Sequence, residues 1–131
     1  MAGTFNDSLI DASSAEQLVQ ILQSLSFTYI YQDKGIVESE IAGNEIISKL
    51  LETFIPAVIY YDSETPERQT AKDKRLLTLI SDNYLGCYRK NAEGESETMK
   101  LYLRLLLVTD FICGMTDSYA KDLYQRLNGL S

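Results

Sequence analysis

The sequence predicts an all-α fold, an irregular bundle of about five helices in a single domain spanning 1–131. Three observations carry that expectation. Only two prolines and seven glycines interrupt 131 residues. Apolar residues recur at three- and four-residue steps through most of the chain, the spacing of one helix face. The β-rich run Phe27-Thr28-Tyr29-Ile30-Tyr31 has no second run to pair with, so it reads as a helix end or an extended link.

Taken in order, residues 1–12 form an irregular lead-in. Ser13 or Ser14 is placed to cap a first helix, with Glu16 and Gln17 in its first turn and Leu18, Ile21, Leu22 and Leu25 on its apolar face, since a serine hydroxyl satisfies a free N–H at a helix start. Asp33-Lys34-Gly35 is a turn. A long helix follows from about Ile36, marked by Val37, Ile41, Ile47, Leu50, Leu51, Phe54 and Val58. Ala42-Gly43 on this helix is a shallow spot open to a close backbone. Pro56 lacks an N–H and is expected to kink the helix or start a new segment. A polar loop, 62–69, leads to a helix from about Thr70 to Asn83 carrying Leu76, Leu77, Leu79 and Ile80. The stretch 91–97, Asn-Ala-Glu-Gly-Glu-Ser-Glu, is expected to be a mobile loop.

From about Thr98 to Cys113 the pattern is apolar nearly all round, which places that helix at the centre of its domain, covered on several sides. It stops at Gly114-Met115-Thr116-Asp117 and restarts at once. Thr116 or Asp117 caps the last helix, with Tyr119, Leu123 and Leu127 inward and Gly129 at its end.

Composition excludes several chemistries. There is no histidine, so a serine or cysteine nucleophile acting through one is impossible. Two cysteines, Cys87 and Cys113, cannot build a zinc site and suit a reducing compartment. No glycine-rich phosphate loop or calcium-loop spacing occurs. Twelve basic against nineteen acidic side chains give a net charge of −7, which argues against unaided nucleic-acid binding. No apolar run reaches the ~18–20 residues that span a bilayer, and the start lacks a signal-peptide pattern. The expectation is a soluble, cytoplasmic protein.

Carboxylates remain as candidate ligands. Glu38 with Glu45, and Glu40 with Asn44, are helical neighbours; such spacing suits either a hard cation or a solvated acidic face. Asp110 lies inside the most apolar helix, where a charge is costly unless it is partnered. It either accepts from the Thr116 and Asp117 N–H groups, pairs with an arginine, or faces a ligand or neighbouring subunit. Lys72, Lys74 and Arg75 form a basic group suited to solubility or to anion contact.

The segment Asp110-Phe-Ile-Cys-Gly-Met-Thr-Asp117-x-Tyr119-Ala120 resembles a signature near the C-terminus of bacterial deoxyguanosine triphosphate triphosphohydrolases, members of the HD-domain superfamily. Cys113 stands where that family has Ser or Ala. Further stretches are similar in order: Gly3-Thr4-Phe5-x-x-Ser8-Leu9-Ile10, then Tyr31, Val37-x-x-Glu40-x-x-Gly43-x-x-Ile46-Ile47-x-x-Leu50-Leu51-x-x-Phe54, Arg75-Leu76-Leu77-x-Leu79-Ile80 and Tyr102-x-Arg104-Leu105.

The resemblance implies a C-terminal helical part of a hydrolase that converts a dNTP to deoxynucleoside and triphosphate. That family's His…His-Asp…Asp metal set is absent here. A divalent metal such as Mg or Mn is therefore expected in an N-terminal HD catalytic part and no cofactor in this chain, which is expected to be inactive alone. The same likeness implies oligomer assembly, completion of a nucleotide pocket at a subunit interface, and Glu40 and Arg75 as nucleotide-facing groups. Asp110, Gly114, Met115, Thr116, Asp117 and Tyr119 are expected to serve architecture. The alternative is a free-standing helical interaction module without enzymatic activity.

Overall fold

The computed structural model describes residues 13–130, so the lead-in of 1–12 and its family-like stretch lie outside the described residues. Six helices follow one another: α1 (Glu16–Tyr29), α2 (Lys34–Ile59), α3 (Ala71–Leu77), α4 (Asp82–Ala92), α5 (Glu97–Cys113) and α6 (Asp117–Leu127). A single 3₁₀ turn, Pro66–Arg68, sits between α2 and α3. No strand occurs among the described residues, and the all-α expectation holds. The chain divides into two units, Met1–Ala42 and Gly43–Ser131.

In Met1–Ala42, α1 buries none of its residues; Leu18, Ile21, Leu22 and Leu25 are all exposed. Neither Ser13 nor Ser14 is the cap: Ala15 occupies that position without a side-chain bond. The Ser13 hydroxyl instead accepts from the Ala15 N–H at 3.2 Å, just outside the helix. Asp33 starts α2 by accepting the Gly35 N–H at 2.9 Å.

Gly43–Ser131 holds the core. Leu50, Phe54, Ala57 and Val58 of α2 meet Leu76 and Leu77, Leu85 and Tyr88, Leu107, Val108, Phe111 and Ile112, and Ala120 and Leu123 from the later helices. Phe111 is central: Phe54 meets its ring edge-on at 5.3 Å and Tyr84 at 6.0 Å, a geometry aromatic rings prefer. α2 runs through Pro56 and starts no new segment there, because the proline falls in the last turn, where only one ladder bond is lost. A Cβ added at Gly43 would have nothing within 4 Å, so no backbone approaches it among the described residues.

Four sequence expectations are corrected by local chemistry. The helix expected over 70–83 is two helices, because Ser81 begins α4 and Thr78 closes α3. Thr70 and Asp73 form a full capping box, with Asp73 accepting the Thr70 N–H at 2.8 Å and Thr70 accepting the Asp73 N–H at 3.2 Å. The 91–97 loop shrinks to four residues, since α4 includes Ala92 and Ser96 caps α5 by accepting from Met99 N–H at 3.3 Å. Gly94, at φ 76°, makes that tight turn possible. On α6 the inward face is Ala120 and Leu123, while Tyr119 and Leu127 are exposed. Finally, within Gly43–Ser131 α5 is not covered on several sides but on one: Leu101, Tyr102, Leu105 and Leu106 are exposed away from its buried face.

One charge lies at the heart of this unit. Arg104 is 1% exposed, the single buried charged side chain among the described residues. Its Nη1 donates to the Tyr61 carbonyl at 2.8 Å, and its Nη2 donates to the Glu97 carboxylate nearly two turns back along α5. The Tyr61 ring lies 5.5 Å from that of Tyr88. The Tyr88 hydroxyl donates to Asp62 at 3.3 Å, and Lys100 reaches the same carboxylate at 3.7 Å. Asp62 takes a left-handed φ of 50°, a conformation costly for a non-glycine residue unless its surroundings hold it.

Truncating Arg104 removes both bonds and leaves a void, so Arg104→Ala should cost about 3 kcal/mol in urea unfolding. Arg104→Met, which refills the volume, should recover part of that loss. Burial first, and then the charge of Asp62, push Tyr88 up to about 12, with Arg104 acting in the opposite sense. The unfolded chain loses its Tyr88 proton near pH 10 while the folded chain keeps it, so stability falls as pH rises from 10 towards 12. The folding constant should drop by up to about tenfold per pH unit there, and Tyr88→Phe should flatten that decline in thermal melts.

Candidate functional site

The Asp110–Tyr119 signature is a corner between α5 and α6. Gly114 closes α5, its N–H donating to the Asp110 carbonyl at 2.9 Å, and Met115 N–H donates to Ile112 at 3.1 Å. Thr116 then takes an extended backbone and caps α6, its hydroxyl accepting the Tyr119 N–H at 3.3 Å. Asp117 follows in the first turn, where the helix dipole favours an acid. Met115 packs, half-buried, against the core.

The glycine is required by a close approach rather than by its backbone angles, which are ordinary helical ones. A Cβ at position 114 would lie 2.0 Å from the Tyr84 hydroxyl and 3.2 Å from the ring carbon bearing it. Tyr84 cannot easily withdraw, because its ring rests against Phe111. The corner is thus built around one tyrosine of α4.

Asp110 departs from both bonded arrangements expected for it. Its carboxylate is exposed and makes no hydrogen bond or ion pair with Thr116, Asp117 or an arginine. It faces outward from α5 onto a small cleft of about 50 Å³ shared with Tyr84, Cys87, Asn91 and Leu106. Because that side of the helix meets water, no burial has to be offset. A space of this size admits a few waters but not a nucleotide, whose sites run to hundreds of Å³.

Glu40 lies on α2 within Met1–Ala42, exposed, and Arg75 lies on α3 within Gly43–Ser131, also exposed. Neither side chain has an ion-pair or hydrogen-bond partner among the described residues. Lys72 and Lys74 are exposed beside Arg75. Lys72 lines an open cleft of about 340 Å³ with Lys49, Glu52 and Asp73. Two cations and two carboxylates cancel there, and Lys49 already holds Glu52 at 3.1 Å, so the cleft has no net pull on an anion. Glu38 is bound to Lys34 at 3.8 Å. No three His, Cys, Asp or Glu residues come together to hold a metal among the described residues.

Arg104 is the residue that reading by composition and spacing missed. Its only signal was a cation at the inward phase of an otherwise apolar helix, noticed solely as part of the family-like Tyr102-x-Arg104-Leu105.

The close approach at the corner gives a direct test. Gly114→Ala should lower stability by about 1–3 kcal/mol in urea unfolding, and Tyr84→Phe in the same background should restore part of it by removing the clashing hydroxyl.

No family model matches the chain. Relatives do. Over 96% of its length it is 29% identical to the deoxyguanosinetriphosphate triphosphohydrolase of Yersinia enterocolitica serotype O:8 / biotype 1B, of which the match spans 28%. Against the enzyme of the same name from Salmonella arizonae the identity is 30%, again over 96% of this chain and 28% of the relative. Against that of Yersinia pestis strain Pestoides F it is 28% over the same shares. This chain therefore spans less than a third of the length of the curated relatives it matches. With likeness running along almost all of it, signature corner included, the chain is homologous to bacterial deoxyguanosinetriphosphate triphosphohydrolases and corresponds to a C-terminal region of them.

Proposed function

We propose that this chain serves as the helical C-terminal part of a dNTP triphosphohydrolase acting on dGTP. It assembles with a catalytic part that carries the metal, helps build the oligomer, and completes the nucleotide pocket. The observation that carries this reading is the pairing of two facts: likeness along 96% of the chain to triphosphohydrolases, and a sequence without one histidine. A metal set built on histidine has to come from elsewhere, so the chain alone is inactive.

Glu40 and Arg75 are the groups assigned to nucleotide. A carboxylate accepts from guanine N1–H and N2–H₂ together, and a guanidinium donates to a base edge or to phosphate oxygens. Both side chains are exposed, free of internal partners among the described residues, and so available to a ligand. Asp110, Gly114, Met115, Thr116, Asp117 and Tyr119 keep the architectural role, which the Tyr84 approach to Gly114 supports.

With Mg or Mn, the purified chain should release no triphosphate from dGTP. Adding the remaining part of the triphosphohydrolase from the same genome should produce that release. Sustained activity of the chain alone, or no activity from the mixture, would overturn the reading. Arg75→Ala should raise the KM for dGTP of the mixture at least about tenfold, the worth of one charge-assisted bond. An interaction module without enzymatic connection would leave hydrolysis unchanged on mixing.

A further inference from the structure

We infer that the outer face of α5 is the surface on which the rest of the hydrolase docks. The inference rests on the functional reading above and adds to it by assigning the contact to one helix face. Leu101, Tyr102, Leu105 and Leu106 are 37–58% exposed and, at 3.6 residues per turn, share one side of α5. Thr98, Thr109 and Cys113 complete the stripe, all exposed.

Paired charges and one free carboxylate flank it. Glu97 and Arg104 turn to each other, Lys100 turns to Asp62, and Asp110 faces the cleft beside α4. The Thr109 hydroxyl is satisfied within its own helix, donating to the Leu106 carbonyl at 2.9 Å, so it needs no outside polar partner. In a chain with 24% charged residues, four turns of uncharged exposed surface do not form an ordinary solvated helix face.

The size of the relatives decides what covers it. Within Gly43–Ser131, taken by itself, no other helix of that unit covers the stripe. The curated relatives are more than three times as long as the matched region, which is 28% of each. That length supplies the cover. A second copy is the weaker occupant. A helix of 17 residues is about 25 Å long, and one stripe of it yields a few hundred Å², short of the ~800 Å² per partner of a stable dimer. The remainder of an enzyme can engage this stripe together with other exposed apolar residues.

The test mixes the full chain with the separately purified remainder of the triphosphohydrolase from the same genome and measures association by sedimentation. Leu105→Glu should weaken association at least tenfold while leaving the thermal melt of the chain unchanged. Leu127→Glu, an equally exposed position on α6, should leave association unchanged. Should Leu105→Glu fail to fold, a Cys87→Ser chain gives an independent readout: thiol labelling of Cys113, at the end of the stripe, should slow when the remainder is added. Association unaffected by Leu105→Glu, or Cys113 labelling that does not slow, overturns the assignment while restored hydrolysis leaves the functional reading standing. A wild-type dimer that Leu105→Glu converts to monomer also overturns it in favour of a second copy. Absence of both association and hydrolysis brings down the functional reading with it.

Discussion

Arg104 carries a full positive charge into the best-packed part of Gly43–Ser131, and the neighbouring chain is arranged around it. A guanidinium cannot lose its proton, so burying it demands acceptors in fixed positions. One is the Tyr61 carbonyl and the other is the Glu97 carboxylate. The first holds the end of α2 and the turn after it; the second holds the first turn of α5. Two segments separated by the whole of α3 and α4 are thereby registered by one side chain. Tyr61 then packs on Tyr88, and Tyr88 bonds Asp62, so the left-handed residue is held from both sides. Apolar packing alone would fix the distance between these segments without fixing their register.

The two faces of α5 follow from that constraint. Once the Arg104 direction is inward, the Leu107–Val108–Phe111–Ile112 face is inward with it, and the opposite leucines are left outside. At the far end of the helix, Phe111 positions the ring of Tyr84, and Tyr84 in turn leaves room for no side chain at position 114. The Gly-Met-Thr-Asp corner is therefore a packing solution before it is anything else. Its acids act on helix ends and solvent, Asp117 at the start of α6 and Asp110 on the wet side of α5.

Most of the fold was legible because it is written in local chemistry. The period of apolar residues located α2, α5 and α6, and residue type narrowed the cap of α6 to Thr116 or Asp117, of which Thr116 takes the position. Boundaries set by competition between short signals were less legible: Ser81 splits 70–83 because its backbone turns extended, a choice that Leu79 and Ile80 at helical spacing conceal. Which side of a helix faces in was misread on α6, where Tyr119 is apolar enough to count as core and Ala120 small enough to overlook. The site residues were assigned only through likeness. Glu40 and Arg75 have no local feature that sets them apart from other exposed charges, and Arg104 hid because an arginine inside a leucine-rich helix looks like a surface residue until its acceptors, 43 and 7 residues away, are known.

The charges of the chain sort by what they touch, and the sorting bears on function. Several cations have partners within the described structure: Arg104 with Glu97 and Tyr61, Lys100 with Asp62, Lys49 with Glu52, Arg89 with the Tyr61 hydroxyl and Arg68 over the Tyr60 ring. Arg75 sits one turn from a capping box that already satisfies the start of α3, so neither the cap nor an ion pair uses its guanidinium. An exposed unpaired arginine contributes little to folding. A charge-assisted bond strengthens as water is excluded, which supports the proposed assignment of Arg75 to nucleotide. The apolar stripe of α5 follows the same logic with a different interaction: it is unfavourable to leave open and favourable once covered. Both features would contribute stability in the larger assembly proposed above, the arginine through a charge-assisted bond and the leucines through burial.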